Sequence, residues 1–184
     1  ISPSELNITP YLREKNNKLA VEVYRYSTAS WLEDQDFWRF SGIFRDVYLY
    51  AIPEIHVRDM KITADFNYKN GNGIFSAELD IIGECDYSVK LTLTDINENK
   101  VYESDKANVR ATIPSVRPWS AEEPNLYILT AEIIAGGRIV ETAETKVGFR
   151  AFELKNGLMY LNGKRIIFKG VNRHEFNAKT GRAI

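Results

Sequence analysis

A single cysteine and two histidines are spread over 184 residues, and that scarcity limits the chemistry available. Cys85 has no second cysteine to pair with, so an internal disulfide is excluded; a lone thiol buried in a strand pair is the expected role, and it suits a reducing compartment. No apolar run approaches the ~20 residues that a bilayer-crossing helix requires. Charge of one sign is also missing. Twenty-four bases against 25 acids leave a net charge of −1. Nothing in that balance draws the chain to nucleic acid or to an anionic membrane. No secretory signal opens the chain. Ile1 is not a start methionine, however, so the compartment of this soluble protein, cytoplasm or periplasm, stays open. There is no internal repeat and no low-complexity segment. The hydrophobic share of 44% and charged share of 27% are those of an ordinary globular protein with a core.

Against that background, residues 31–47 (WLEDQDFWRFSGIFRDV) stand out. They set aromatic rings among carboxylates and arginines around a Ser-Gly turn. Rings can stack on the apolar faces of a pyranose, and carboxylates accept hydrogen bonds from its hydroxyls. A sugar site is therefore one chemistry this composition suits.

Three pieces follow from pattern. In residues 1–52, Thr9-Pro10-Tyr11 reads as an N-cap with proline at the first helical position, hence one short helical turn. Residues 19–26 and 47–52 alternate as half-buried strands. Two strands and a loop cannot close a core by themselves, so this piece is expected to be the tail of a larger all-β domain. Residues 53–149 read as a complete sandwich, with strands over 55–66, 73–82, 86–95, 99–104, 107–113, 125–135 and 138–148. Val89, Leu91 and Leu93 share one face. Gly136-Gly137 marks a tight hairpin, since both positions can take positive φ. Seven short strands fit an immunoglobulin-like sandwich, without the Cys…Trp…Cys pattern of antibody domains. Residues 150–184 change character. A run over 165–172 is apolar on both faces, as a buried parallel strand would be, and ends in the polar burst Asn172-Arg173-His174-Glu175. Such ends are where (β/α)8 barrels keep their active sites. The expected fold is thus all-β at its centre, leading into the first strand of a barrel whose remainder lies beyond Ile184.

Four stretches carry a resemblance: LEDQDFWRFSGIFRDVYL at 32–49, RPWSAEEPNLY at 117–127, VGFR at 147–150, and LNGK with KGVNRHE at 161–175. In this order they resemble family 2 glycoside hydrolases, the β-galactosidase group. The resemblance implies a jelly-roll sugar-binding domain ending at residue 52, an immunoglobulin-like sandwich over 53–149, and a lead-in segment with the first strand of the catalytic TIM barrel over 150–184. It implies a parent that is a retaining, exo-acting β-glycosidase using two glutamates, both beyond Ile184. This chain alone is then expected to be inactive, with no catalytic residue of its own.

As residues alone, Glu33, Asp34 and Asp36 read as a solvated acidic turn or as partners of Arg39 or Arg45. The resemblance assigns a role to Asp36 alone: in the full-length parent it would contact the sugar and help hold a sodium ion. A carboxylate suits both tasks. His174, by itself an ordinary structural histidine, would hydrogen-bond sugar hydroxyls and stabilise the transition state. Asn172 and Arg173 are weaker candidates. Glu175 matches neither catalytic glutamate, and the parent's magnesium ligands fall outside the chain, so no cofactor is expected on this fragment. His56 reads as structural. Trp31, Phe37 and Trp38 could stack on sugar but better suit packing of the loop against neighbouring domains; Trp119 reads as a core or interface residue. The partners implied are a β-galactoside and the rest of the same polypeptide. Ser104 to Trp119 is too short for a loop that reaches a neighbouring subunit's site, which puts a shared-site tetramer in doubt and leaves other homo-oligomers open. Two rivals remain: a β-glucuronidase or β-mannosidase of the same family, favoured less by LEDQD, and a stand-alone immunoglobulin-like adhesion or carbohydrate-binding module.

Overall fold

A computed structural model describes residues 4–32, 42–43, 45–174 and 176–181. The chain divides into two compact units, Ile1–Leu49 with Val171–Ile184, and Tyr50–Gly170. Among the described residues every extended element lies in the second unit, and there is no α-helix.

Seven strands build the sandwich: β1 (His56–Asn67), β2 (Asn72–Ile82), β3 (Ser88–Thr94), β4 (Lys100–Ser104), β5 (Asn108–Ile113), β6 (Tyr127–Ala135) and β7 (Arg138–Val147). Each lies within two or three residues of the run that its alternation predicts. The strands pair antiparallel in two sheets, β1-β2-β5 and β4-β3-β6-β7. Pairing of β4 with β3 gives a three-plus-four division, a variant of the immunoglobulin-like plan.

The core is the set of inward positions of both sheets. Phe75 and Ala77 on β2, Leu91 and Leu93 on β3, and Leu129, Ala131 and Ile133 on β6 have no exposed surface. Val89 joins Leu91 and Leu93 as expected from its period of two. On β1 a bulge falls between Val57 and Asp59. Strict alternation would turn Val57 and Met60 to opposite faces; the extra residue, Arg58, returns both to the core side. Arg58 then meets the Asp80 carboxylate from its exposed position. Glu141 on β7 accepts the Val57 N–H at 2.6 Å, which links the edges of the two sheets. The Gly136-Gly137 turn has φ of 57° and 75° and closes the β6–β7 hairpin between Ala135 and Arg138. These are the positive angles a two-residue hairpin of this kind requires.

Past β7 the chain forms a three-stranded meander, β8 (Phe152–Lys155), β9 (Leu158–Leu161) and β10 (Lys164–Arg165). Its turns are Asn156-Gly157 and Asn162-Gly163, with positive φ at all four residues.

Four local expectations are corrected. Residues 19–26 and 47–52 carry no strand; Val21, Val23 and Tyr48 are about half exposed or more, at 53%, 49% and 71%. The alternation is present, but a strand exists only through a ladder, and these residues belong to none of the ladders among the described residues. The strand expected over 165–172 is likewise limited to its start at Arg165, and Ile167, Phe168 and Val171 are exposed. A parallel strand buried on both faces needs neighbours at both edges. Cys85 is exposed rather than buried. β2 ends at Ile82 and β3 begins at Ser88, so the thiol sits on the connecting loop. The helical turn at Thr9–Tyr11 is present as 3-10, with Ile8 in the capping position and Pro10 in the first turn.

Candidate functional site

The best-defined polar assembly in the second unit fastens the exit of the sandwich to the meander. It is built from the stretches that carry the family resemblance. Trp119 donates its backbone N–H to the Phe149 carbonyl at 2.8 Å and bridges to Pro124. Within that loop Ser120 Oγ accepts the Glu123 N–H at 3.0 Å, and Asn125 Nδ2 donates to the Pro118 carbonyl at 3.0 Å. The Tyr127 hydroxyl, at the mouth of the core, accepts the Arg117 N–H at 2.9 Å. The Arg150 guanidinium lies over the Trp119 ring, 5.0 Å from its centroid. Phe149 is fully buried and stands edge-on to Tyr127, with ring centroids 5.2 Å apart.

Asn162 ties the meander to this loop. Its Oδ1 accepts the Ala151 N–H at 3.0 Å, its Nδ2 donates to the Trp119 carbonyl at 3.0 Å, and its own N–H donates to the Ala151 carbonyl at 2.8 Å. A second tie joins the β1–β2 turn to β8. Tyr68 donates to Glu153 Oε2 at 3.1 Å, and Lys155 Nζ donates to both Tyr68 and Glu153, at 2.9 and 2.7 Å. The Lys155 hydrogen bond, helped by Tyr68, holds Glu153 below its ordinary value, and the Glu153 bond raises Lys155. A depressed carboxylate contributes above its ordinary titration range and loses that contribution as pH falls through the lowered value. Lys155 is exposed and Glu153 only partly buried, so solvent screens the pair and the contribution is small.

Asn162→Ala removes two side-chain hydrogen bonds and places alanine at φ 50°. A loss of about 2–4 kcal/mol is expected in urea unfolding of the chain. Asn162→Gly should recover the part due to backbone strain and none of the part due to the bonds. A loss under about 0.5 kcal/mol for both would show that this side chain does not hold the junction.

The residues expected to meet a sugar are placed as follows. Asp36, with Glu33, Asp34, Phe37 and Trp38, lies outside the described residues, as does Glu175. Trp31 closes the 3-10 turn Thr28–Trp31 and is exposed. His174 is exposed and, with Asn172 and Arg173, belongs to the first unit rather than to the sandwich. His56 is structural: its Nδ1 is bonded to the Pro53 carbonyl at 2.8 Å. Among the described residues no three His, Cys, Asp or Glu side chains gather as a metal site. The best-formed depressions in the second unit are open and shallow. One lies on the outer face of β1, β2 and β5 beside Thr63, Ser76 and Arg110; the other lies beside Tyr68 and Glu153. Pattern reading missed the role of Asn162 and Tyr68. Asn162-Gly163 is legible as a turn, but the partner of its side chain lies 43 residues away.

The fold therefore defines an immunoglobulin-like sandwich whose exit is fastened to a three-stranded meander. Comparison with known proteins extends this. Three family models match in succession: the glycosyl hydrolases family 2 sugar binding domain over residues 1–53, glycosyl hydrolases family 2 over 55–150, and the glycosyl hydrolases family 2 TIM barrel domain over 152–184. The chain belongs to glycosyl hydrolases family 2. It is 52% identical to the β-galactosidase of Streptococcus thermophilus over 191 residues, covering all of this chain and 18% of that protein. It is also 52% identical to the β-galactosidase of Clostridium acetobutylicum over 190 residues, covering all of this chain and 21% of that protein. The apo structure of Bacteroides uniformis β-glucuronidase 3 superposes with a TM-score of 0.69 at 28% identity, over 82% of this chain and 19% of that one. The chain spans about a fifth of the length of these curated relatives.

Proposed function

We propose that this chain is the connecting portion of a retaining β-galactosidase that hydrolyses terminal β-D-galactosides. The observation that carries the reading is identity of 52% along the whole chain to β-galactosidases, against 28% to the β-glucuronidase above. Retaining hydrolysis needs one carboxylic acid to protonate the leaving oxygen and one carboxylate to attack the anomeric carbon, about 5 Å apart. Both are supplied from outside these 184 residues. The work of this chain is positional. The Trp119, Phe149 and Asn162 junction holds the start of the barrel segment at a set angle to the sandwich. Asp36 and His174, brought to the mouth of the completed barrel, bind sugar hydroxyls. A sodium ion at Asp36 would add a hard cation for the same hydroxyls, and magnesium would bind elsewhere in the parent.

The test is a substrate panel. The full-length parent should turn over nitrophenyl β-galactoside in preference to the glucuronide and the mannoside, and the 184-residue chain should turn over none of them. A parent that prefers the glucuronide would move the assignment to the β-glucuronidase branch. Turnover by the chain alone, free of host enzyme, would overturn the division of labour. Specific binding by the chain alone on a glycan array would favour an independent carbohydrate-binding module.

A further inference from the structure

Four Asn-Gly pairs occur in the chain, Asn70-Gly71, Asn72-Gly73, Asn156-Gly157 and Asn162-Gly163. This dipeptide is the one most prone to intramolecular deamidation, because glycine leaves its own amide nitrogen unhindered. Reaction requires the asparagine side chain to rotate until Cγ meets the following nitrogen. The fold treats the four pairs differently. Asn162 is held at both ends of its amide, by the Ala151 N–H and the Trp119 carbonyl. The Asn72 oxygen accepts the Ser115 N–H, and Asn72 and Gly73 both lie in the β1–β2 ladder. The Asn70 oxygen accepts the Asn72 N–H at 3.0 Å. Among the described residues, Asn156 is the member of the set whose side chain makes no hydrogen bond. It sits exposed at the tip of the β8–β9 hairpin, between the paired residues Lys155 and Leu158, and the space around Gly157 is open.

We propose that Asn156 is the site of spontaneous modification in this protein, converting to aspartate and isoaspartate while the other three pairs are protected by the fold. The Gly157 nitrogen attacks Cγ of Asn156. The new N–Cγ bond forms as Cγ–Nδ2 breaks, ammonia leaves, and the Gly157 proton passes to solvent. Water then adds to either carbonyl of the cyclic imide and opens it. The step needs no oxidant or reductant. The aspartate product adds a negative charge beside Lys155. The isoaspartate product lengthens the backbone by one carbon inside a two-residue turn whose φ values are 51° and 74°. That product cannot keep the Lys155–Leu158 register, so the hairpin at the start of the barrel segment loosens.

The experiment incubates the 184-residue chain in mildly alkaline buffer, folded and in concentrated urea, and follows each Asn-Gly peptide by mass mapping alongside ammonia release. In the folded chain Asn156 should convert about tenfold faster than the other three, the factor that one restraining hydrogen bond supplies. The gap should close in urea, and Asn156→Gln should remove most of the early ammonia. Equal rates in the folded chain, faster reaction at another pair, or an undiminished gap in urea would each overturn the proposal.

Discussion

Phe149→Ala should lower the stability of the second unit by about 3–5 kcal/mol, the usual range for deleting a buried aromatic ring. Phe149 has no exposed surface, stands 5.2 Å from Tyr127 and 6.4 Å from Phe75 by ring centroids, and accepts the Trp119 N–H on its carbonyl. Its ring also fills the space above Gly73, where an added Cβ would lie 2.6 Å from it. The neighbours are strands held by ladders and cannot collapse freely into the void, which places the loss in the upper part of that range. Domains of this size have about 5–15 kcal/mol in all, so a large fraction would unfold at modest temperature. Thermal unfolding followed by calorimetry is the measurement. Tyr24→Ala, at a position 72% exposed, is the control, with an expected change within about 0.5 kcal/mol. A Phe149→Ala loss below about 1 kcal/mol would mean that the junction is not part of the core.

In the full-length parent, Asp36→Asn should reduce catalytic efficiency by at least about tenfold with the fold intact. The amide keeps the shape of the side chain and loses the charge that would accept sugar hydroxyls and hold sodium. His174→Ala should act differently. A ring that binds the transition state better than the substrate lowers kcat more than it raises KM. In the 184-residue chain neither substitution should change stability appreciably, since the role proposed for both is toward sugar at the mouth of the completed barrel. Normal kinetics for both full-length variants would remove these residues from the sugar site. A stability loss from Asp36→Asn as large as that of a core substitution would make Asp36 a structural acid.

The same contrast between local and distant causes explains how much of the molecule is readable from its residues in order. Period-two patterns place the seven sandwich strands because each strand's inward and outward sides face different solvents, and that difference is written every second residue. Val89, Leu91 and Leu93 are the clearest case. Gly136-Gly137 likewise marks its hairpin, because the backbone angles needed there are local. The same period over residues 19–26 produces no strand, since alternation states which side would be buried and not what would pair with the edge. Cys85 falls on a loop for a related reason: apolar character near a strand does not say where the ladder stops. The bulge at Arg58, the pairing of β4 with β3, and the hold of Asn162 on a carbonyl 43 residues away are decided by tertiary structure. A hydrogen bond of that kind takes its partner from the folded arrangement of the whole unit, and no residue near Asn162 in the chain announces it. For Asp36 and His174 the residues themselves allow a bland reading as readily as a functional one. Their proposed role depends on bringing two distant segments to one sugar, which local pattern cannot specify because it carries no information about distance across the fold.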